Sequence, residues 1–368
     1  MDASLRVSLG RIISQGLVPA TAAHSPLDAV KNLAALQGQQ ASAIPWAIGV
    51  RCTGVPRARV EESFARGELV RSWPMRGTVH VTSARDHHWL RRLLRHRRAA
   101  WERQALSLGL TDALVERAEQ VACDLLETSP LGVSRVELVE AWGRNGIDTV
   151  TASSSQEGLR RRHLIMRLHL DGVLTAGPVR AGEHLIVDAR SLPAAPGVAK
   201  GEPGHEEALA VLAARYAWGH GPIDAADLAR WTGLTLTEAR RALAGARVAG
   251  ESVGLPLAEC GGGLARADLA DLVEDFRAEA EAMHALPSFD ELHVGYKDRS
   301  CLTDEAGEAL ICPAKNGMFR PIVVEGGRVV AVRAPGREIV MVKGYESRQR
   351  PAARAFDDWE KWLSETQQ

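Results

Sequence analysis

Apolar residues recur at helical spacing along most of the chain and alternate over a few short stretches. That contrast predicts a mainly helical protein carrying small β-hairpins. The clearest unit runs over 223–244. Asp224 stands where it can cap a first helix, Ala229 is small where two helices must cross, and Gly233 suits a left-handed turn between them. Thr235 or Thr237 can cap the second helix, which opens at Leu236. A looser copy starts at Ser134, carries Val136, Leu138 and Val139 towards Trp142, and stops at Asn145-Gly146. Beyond a polar stretch at 151–156, a longer helix runs from about Gln156 to Leu170. The segments 173–175 and 184–187 then alternate around Gly177 and Gly182 like a hairpin wing. A first copy would combine a helix from Ser25, a short helix near Pro45, a helix over 56–66, and a hairpin of 70–73 with 78–82.

Between these copies the pattern predicts an Arg- and Leu-rich helix over 84–106 and an amphipathic one over 111–128. Pro193, Pro196 and Pro203 mark 191–204 as an interdomain linker. A helix over 264–285 should precede a β-rich end with strands at 293–296, 310–312, 319–324 and 328–333, before a last helix over 352–363. The predicted fold class is α+β, mainly α, with three tandem winged-helix domains, each a helix-turn-helix plus a β-hairpin. Their bounds are 1–110, 111–195 and 196–368, the last with a C-terminal β-rich extension.

A chain of 368 residues has room for two or three domains, and 45% hydrophobic with 25% charged residues is ordinary for a globular protein. No apolar run of about 18 residues exists, and the start Met1-Asp2-Ala3-Ser4 lacks a basic region followed by an apolar stretch. The expectation is a cytoplasmic protein without membrane association. Five scattered cysteines without a C-x-x-C pair argue against a disulfide framework or a structural zinc, and twelve histidines show no metal-ligand spacing. No metal and no cofactor are expected. With a net charge of −1, any DNA contact has to come from local patches.

The distinctive chemistry is an amide cluster, Gln37-Gly38-Gln39-Gln40. On a continuous helix Gln37 and Gln39 would diverge by roughly 200°, whereas an extended or broken stretch puts them on one side. Ser25, Pro26 and Asp28 mark the start of the helix leading in, and Leu27, Val30, Leu33 and Leu36 give it an apolar stripe. Gly38 is the residue best suited to break it. Such a pair can orient a water or a sugar but cannot act as a strong base.

Several blocks in order then resemble the AlkZ-like family of bacterial DNA glycosylases, which are built from tandem winged helices. They are Leu36-Gln37-Gly38-Gln39, Trp73-Pro74-Met75-Arg76-Gly77-Thr78-Val79-His80, the run 289–300, Pro313-Ala314-Lys315-Asn316-Gly317-Met318-Phe319, and Gly326-Gly327-Arg328-Val329-Val330. The resemblance spans about 5–365 and is close enough to suggest identity with the family's namesake, which protects an azinomycin producer from its own DNA crosslinker. It implies excision of bulky N7-alkylated purines and unhooking of interstrand crosslinks. The partner implied is double-stranded DNA carrying alkylated guanine or crosslinks, met by a monomer. The family's Gln-x-Gln or Gln-x-Asp motif falls on Gln37 and Gln39 as catalytic residues, here without a carboxylate.

An N7-alkylated guanine is already cationic and leaves as a neutral base. The protein then needs only to place a water and stabilise positive charge on the sugar. No lysine in the motif points to a Schiff-base lyase. Arg76 and His80 are expected near the lesion or a phosphate, unless Arg76 instead pairs with a carboxylate such as Asp86. Arg160, Arg161 and Arg162, on the second helix of a helix-turn-helix, are expected at phosphates. The stretch 91–103 either lines a DNA channel or is a solvated helix face. Lys315 and Asn316 are expected at a hairpin tip entering a groove. Asp290, Lys297, Asp298 and Arg299 are expected in an internal ion-pair network. The rival readings are a winged-helix transcriptional regulator and a scaffold gripping protein partners.

Overall fold

Helix starts fall where short polar side chains can accept from free backbone N–H groups. Thr111 caps helix Asp112–Glu127, Ser134 forms a capping box with Glu137 on helix Arg135–Arg144, and Thr235 does the same with Glu238 on helix Leu236–Ser252. Asp224 caps helix Ala225–Thr232, and Gly233 after it takes the left-handed conformation. These caps belong to a computed structural model that describes residues 1–95, 99–147, 154–193, 195 and 197–365. The fold is mixed α+β and mainly helical, with small β-hairpins of the winged-helix type. No described helix is long and apolar enough to cross a membrane.

Packing separates two units, one of Met1–Val60 with Glu206–Gln368 and one of Glu61–His205. These bounds are not those of the three motif-based segments: the 110/111 junction lies inside the second unit, and the Pro-rich linker ends it. In the first unit, strands Ile339–Met341, Arg328–Arg333, Ile322–Glu325 and His284–Leu286 form an antiparallel sheet in that order. Alternate residues serve opposite faces. Ile322 and Val324 join Leu9, Ile12 and Ile13 of helix Ala3–Ser14 in one core, while Val323 and Val330 join Trp46 and Phe356 in another. The final helix, Gln349–Ser364, is fixed to that second face by Phe356 edge-on and Trp359 stacked against Trp46.

In the second unit, helices Asp112–Glu127, Arg135–Arg144 and Ser154–Asp171 close around Trp142, whose indole donates to the Ala118 carbonyl at 2.9 Å. Strands Leu69–Met75 and Thr78–Ser83 form one hairpin, Leu174–Arg180 and Glu183–Asp188 another. The two are joined antiparallel at Arg71 and Ala176. Each hairpin turns on two residues of positive φ, Arg76 and Gly77 in one, Ala181 and Gly182 in the other. That turn matches the twist of the strands, and its second position is glycine in both.

Four sequence expectations fail here. The 264–285 helix is a strand, Gly263–Arg266, then helices Leu269–Asp275 and Arg277–Glu281 parted at Phe276, then strand His284–Leu286. Residues 293–296 are not a strand, because Asp290 caps a short helix, Glu291–Val294. Leu310 and Ile311 end helix Glu305–Ile311, capped by Asp304, so three apolar residues at 310–312 misled as a strand. The 84–106 helix is two, Ala84–Leu93 and Ala99–Ser107, and residues 96–98 lie outside the described ones.

The hairpins bury two histidines in neutral form. His169 stands 3.1 Å from Ser72 Oγ and edge-on to Trp73, and burial with nearby Arg71 lowers its pKa to about 3. His184 donates from Nδ1 to the Gly177 carbonyl, and burial lowers its pKa to about 4. The unfolded chain takes up these protons near pH 6.5, the folded chain only well below it. Stability is therefore full above that pH and falls as pH drops from about 6.5 towards 4, by on the order of 2–3 kcal/mol per histidine. Thermal unfolding across this range should show the loss, and His169→Gln should flatten it. An unchanged pH dependence in that variant would contradict the assignment.

Candidate functional site

Helix Pro26–Asn32 begins as the sequence predicts, with Ser25 accepting from the Asp28 N–H and Pro26 in the first turn. It ends earlier than Gly38. Ala34, fully buried, turns the chain with a φ of 61°. Helix His205–His220 passes so near this turn that a Cβ on Gly219 would stand 2.1 Å from the Asn32 carbonyl oxygen. The close approach requires glycine there and fixes where the helix stops. Leu36–Gln37 is consequently extended, and Gly38, Gln39 and Gln40 are non-helical. Of the two geometries open from sequence, the helical one is removed. Gln37 and Gln39 are half-buried, Gly38 is buried and Gln40 is exposed.

The Gln37 backbone is held by a carboxylate. Glu291 Oε2 accepts from the Gln37 N–H at 3.0 Å, and Oε1 accepts from the Trp231 indole at 2.6 Å. His220 Nε2 lies 3.3 Å from the same Oε1. Glu291 is 1% exposed, and Trp231 and His220 are fully buried. Gln37 also folds its own side chain back, its Oε1 accepting from the Gly38 N–H at 3.1 Å. One of the two carbonyl lone pairs is thereby committed, which orients the amide.

Buried charges surround this anchor. Arg51 forms a two-pronged pair with Asp290, Nη1 to Oδ2 and Nη2 to Oδ1, both at 2.9 Å. Burial works against the Arg51 charge, but Asp290 outweighs it and holds the guanidinium pKa above its usual value. Arg51 Nη2 also donates to Gln15 Oε1, Gln15 donates to the Tyr296 hydroxyl, and that hydroxyl donates to the His220 carbonyl. Arg11 pairs with Asp227 at 3.0 Å, donates to the Asp298 carbonyl and lies 3.7 Å over the Tyr296 ring. The expected internal ion-pair network among Asp290, Lys297, Asp298 and Arg299 is not what the structure shows: Asp290 and Arg299 pair with other residues, and Lys297 and Asp298 are exposed and enter these contacts through their backbones. Lys297 gives its backbone N–H to Asp227, and Arg299 pairs with Glu308 at 3.1 Å. Sequence reasoning missed Glu291, Arg51, Trp231 and His220; Glu291 stands inside the run 289–300, but nothing local ties it to residue 37.

In the second unit, Arg76 sits on the hairpin turn with Nη2 3.3 Å from His80 Nε2, while His80 Nδ1 donates to the Thr78 carbonyl. His80 is fully buried, so it braces Arg76 instead of presenting itself. Asp86 gives its backbone N–H to Ser83, which caps helix Ala84–Leu93, and its carboxylate accepts from the Ser83 hydroxyl at 2.8 Å. On helix Ser154–Asp171, Arg161 pairs with Glu157 one turn back, Arg160 is half-buried and Arg162 is exposed. Arg91 donates to the Leu170 carbonyl, and Arg92 and Arg95 pair with Glu202 and Asp171. Arg97 and Arg98 lie outside the described residues.

Lys315 and Asn316 are not on a hairpin tip, since the segment before them is helical. They occupy an exposed loop braced by Lys315 N–H to the Cys312 carbonyl and by Met318 N–H to Asn316 Oδ1, both 3.0 Å. Among the described residues, no cluster of His, Cys, Asp and Glu has a metal-binding arrangement.

The profile of the family described as DNA glycosylase AlkZ-like matches residues 30–352. A comparison with curated proteins yields no match. Among solved structures, Streptomyces sahachiroi DNA glycosylase AlkZ shares the fold, with a TM-score of 0.66 over 96% of this chain and 97% of that one. At 23% identity the two are relatives and not the same protein, which corrects the identity suggested by the sequence blocks. The matched segment includes the amide motif, its Glu291 anchor and both hairpins of the second unit, and the chain belongs to the AlkZ-like family of DNA glycosylases.

Proposed function

We propose that this protein is a monofunctional DNA glycosylase that hydrolyses the N-glycosidic bond of bulky N7-alkylated purines. Its substrates include interstrand crosslinks of the azinomycin type, its service is DNA repair and self-resistance, and Gln37 and Gln39 are its catalytic pair. Membership of a DNA glycosylase family supports a role in DNA repair and hydrolytic activity. The observation that carries the reading is the anchoring of Gln37 by a buried carboxylate. A solvated loop has no need of such an anchor, and a regulator has no use for an oriented amide.

The cationic leaving base supplies much of the driving force. The Gln37 carbonyl, one lone pair fixed on Gly38 N–H, keeps the other for the sugar's developing charge or for the attacking water, and Gln39 shares that task. Glu291 is sequestered behind the backbone and serves position, not proton transfer. For DNA we assign Arg76, held by His80, together with Arg160, Arg161, Arg162, Lys315 and Asn316. We read the chain as three winged helices in tandem, 1–110, 111–195 and 196–368, working as a monomer in the cytoplasm. The first experiment is incubation with N7-alkylated duplex: base release supports the enzyme, whereas retardation without release supports the regulator.

Gln37→Ala and Gln39→Ala should each slow single-turnover excision by more than about tenfold with DNA affinity nearly intact, because one such interaction is worth about 2–4 kcal/mol. Wild-type rates in the double variant would remove the assignment. Cationic N7-alkylguanine should be cut far faster than uracil or hypoxanthine, which need a proton donor; equal rates would reveal an acid elsewhere. Glu291→Gln replaces an accepting oxygen with a donor facing N–H groups and should slow excision on the order of 10- to 100-fold through misplacement. The check is single-turnover rate against DNA affinity, and equal losses in both would indicate general misfolding instead.

A further inference from the structure

Helix Leu236–Ser252 buries one side and leaves a stripe open. Ala239, Ala242 and Ala246 are buried, and these small side chains bring the helix close to its neighbours. A Cβ on Gly245 would stand 3.0 Å from Ala210 of helix His205–His220. On the opposite side Thr237, Arg240, Arg241, Ala244, Arg247 and Val248 are all exposed. Steps of three, four and seven residues put them on a single helix face. Arg240 and Arg247 are two turns apart, about 10 Å along the axis.

The arginines of this stripe are unanswered. Exposed arginines on other helices meet a carboxylate one turn away, Arg66 with Glu62, Arg144 with Glu140 and Arg277 with Glu281. On helix Ser154–Asp171, Arg161 is likewise tied to Glu157. Arg240, Arg241 and Arg247 make no hydrogen bond or ion pair among the described residues. The acids of their own helix do not neutralise them. Glu238 is committed to the capping box, its Oε2 accepting from the Thr235 N–H and hydroxyl, and Glu251, one turn beyond Arg247, forms no pair with it. Three free guanidinium groups on one face therefore concentrate positive charge in a chain whose net charge is −1.

The setting of the stripe says what it suits. The helix is the second of the helix-turn-helix that opens at Asp224 and turns at Gly233. In that arrangement the second helix lies in a DNA groove about 12 Å wide, flanked by phosphates. Arginine matches phosphate with its fork of donors, and Ala244 leaves the middle of the stripe without bulk. The first helix carries Trp231, which donates to Glu291, the residue that holds Gln37, so the stripe and the amide motif are built on one packed unit. We propose that this face binds duplex DNA whether or not a lesion is present, through phosphate contacts of Arg240, Arg241 and Arg247. The proposal rests on the reading of the protein as a DNA enzyme and adds a contact surface on residues which that reading leaves unused.

The test is salt-dependent anisotropy of the full chain on an undamaged duplex and on the same duplex carrying N7-methylguanine. The triple variant Arg240→Gln/Arg241→Gln/Arg247→Gln should flatten the salt slope by about 2–3 units and weaken both duplexes by the same factor, about tenfold or more at low salt. All three positions are exposed, and thermal unfolding of the variant should match the wild type. Arg277→Gln removes the same charge from a paired arginine elsewhere and should leave binding and excision unchanged. A triple variant with the wild-type slope, a loss confined to lesion duplex, or an equal loss per charge in Arg277→Gln would overturn the surface. Base release measured in parallel separates the two readings. Release together with a wild-type slope in the triple variant overturns the surface and leaves the glycosylase standing. A flattened slope without release by the wild type keeps the surface and removes the glycosylase, and absence of duplex binding and release removes both.

Discussion

One buried carboxylate organises the site. Glu291 has almost no access to water, yet it accepts hydrogen bonds from the Gln37 backbone and the Trp231 indole and meets the His220 imidazole. Burying a carboxylate is costly unless its oxygens are satisfied, and removing one partner of such a set typically costs several kcal/mol. The arrangement is thus stiff: the loop carrying Gln37 cannot shift without leaving a buried carboxyl oxygen without its partner. Its neighbour Asp290 solves the same problem with a different partner, the two-pronged guanidinium of Arg51. Adjacent acidic residues therefore bind two separate pieces of chain, helix Ile44–Gly49 with its following turn on one side and the amide motif on the other.

This stiffness suits the proposed chemistry. An amide is a weak catalyst, effective only if it already points where charge will develop. Gly219 fixes where the preceding helix stops, Ala34 turns the chain, Glu291 fixes the backbone, and the Gly38 N–H orients the Gln37 side chain. Each contact removes freedom that a flexible loop would have to lose in the transition state.

Local order was legible in the sequence. The caps at Ser25, Asp224 and Thr235 and the turn at Gly233 act within a few residues, and all lie where the pattern puts them. The errors arose where local signals tie. Short apolar runs at 293–296 and 310–312 fit a strand or a helix end, and only the capping aspartates Asp290 and Asp304 separate the two. The amide motif itself was visible, but its support was not. Glu291 is 254 residues from Gln37, and Arg51 is 239 from Asp290, separations that no periodicity encodes. The helix break was placed at Gly38 by propensity, whereas packing against Gly219 moves it to Ala34.

The central claim is that Glu291 acts on chemistry only through the amides it positions. A mutant cycle on single-turnover excision of N7-methylguanine addresses this directly, with Glu291→Gln introduced into the wild type and into the Gln37→Ala/Gln39→Ala chain. Residues acting as a unit are strongly non-additive. The account predicts that Glu291→Gln slows the wild type and adds nothing once both amides are gone; the same fold-loss in both backgrounds would contradict it.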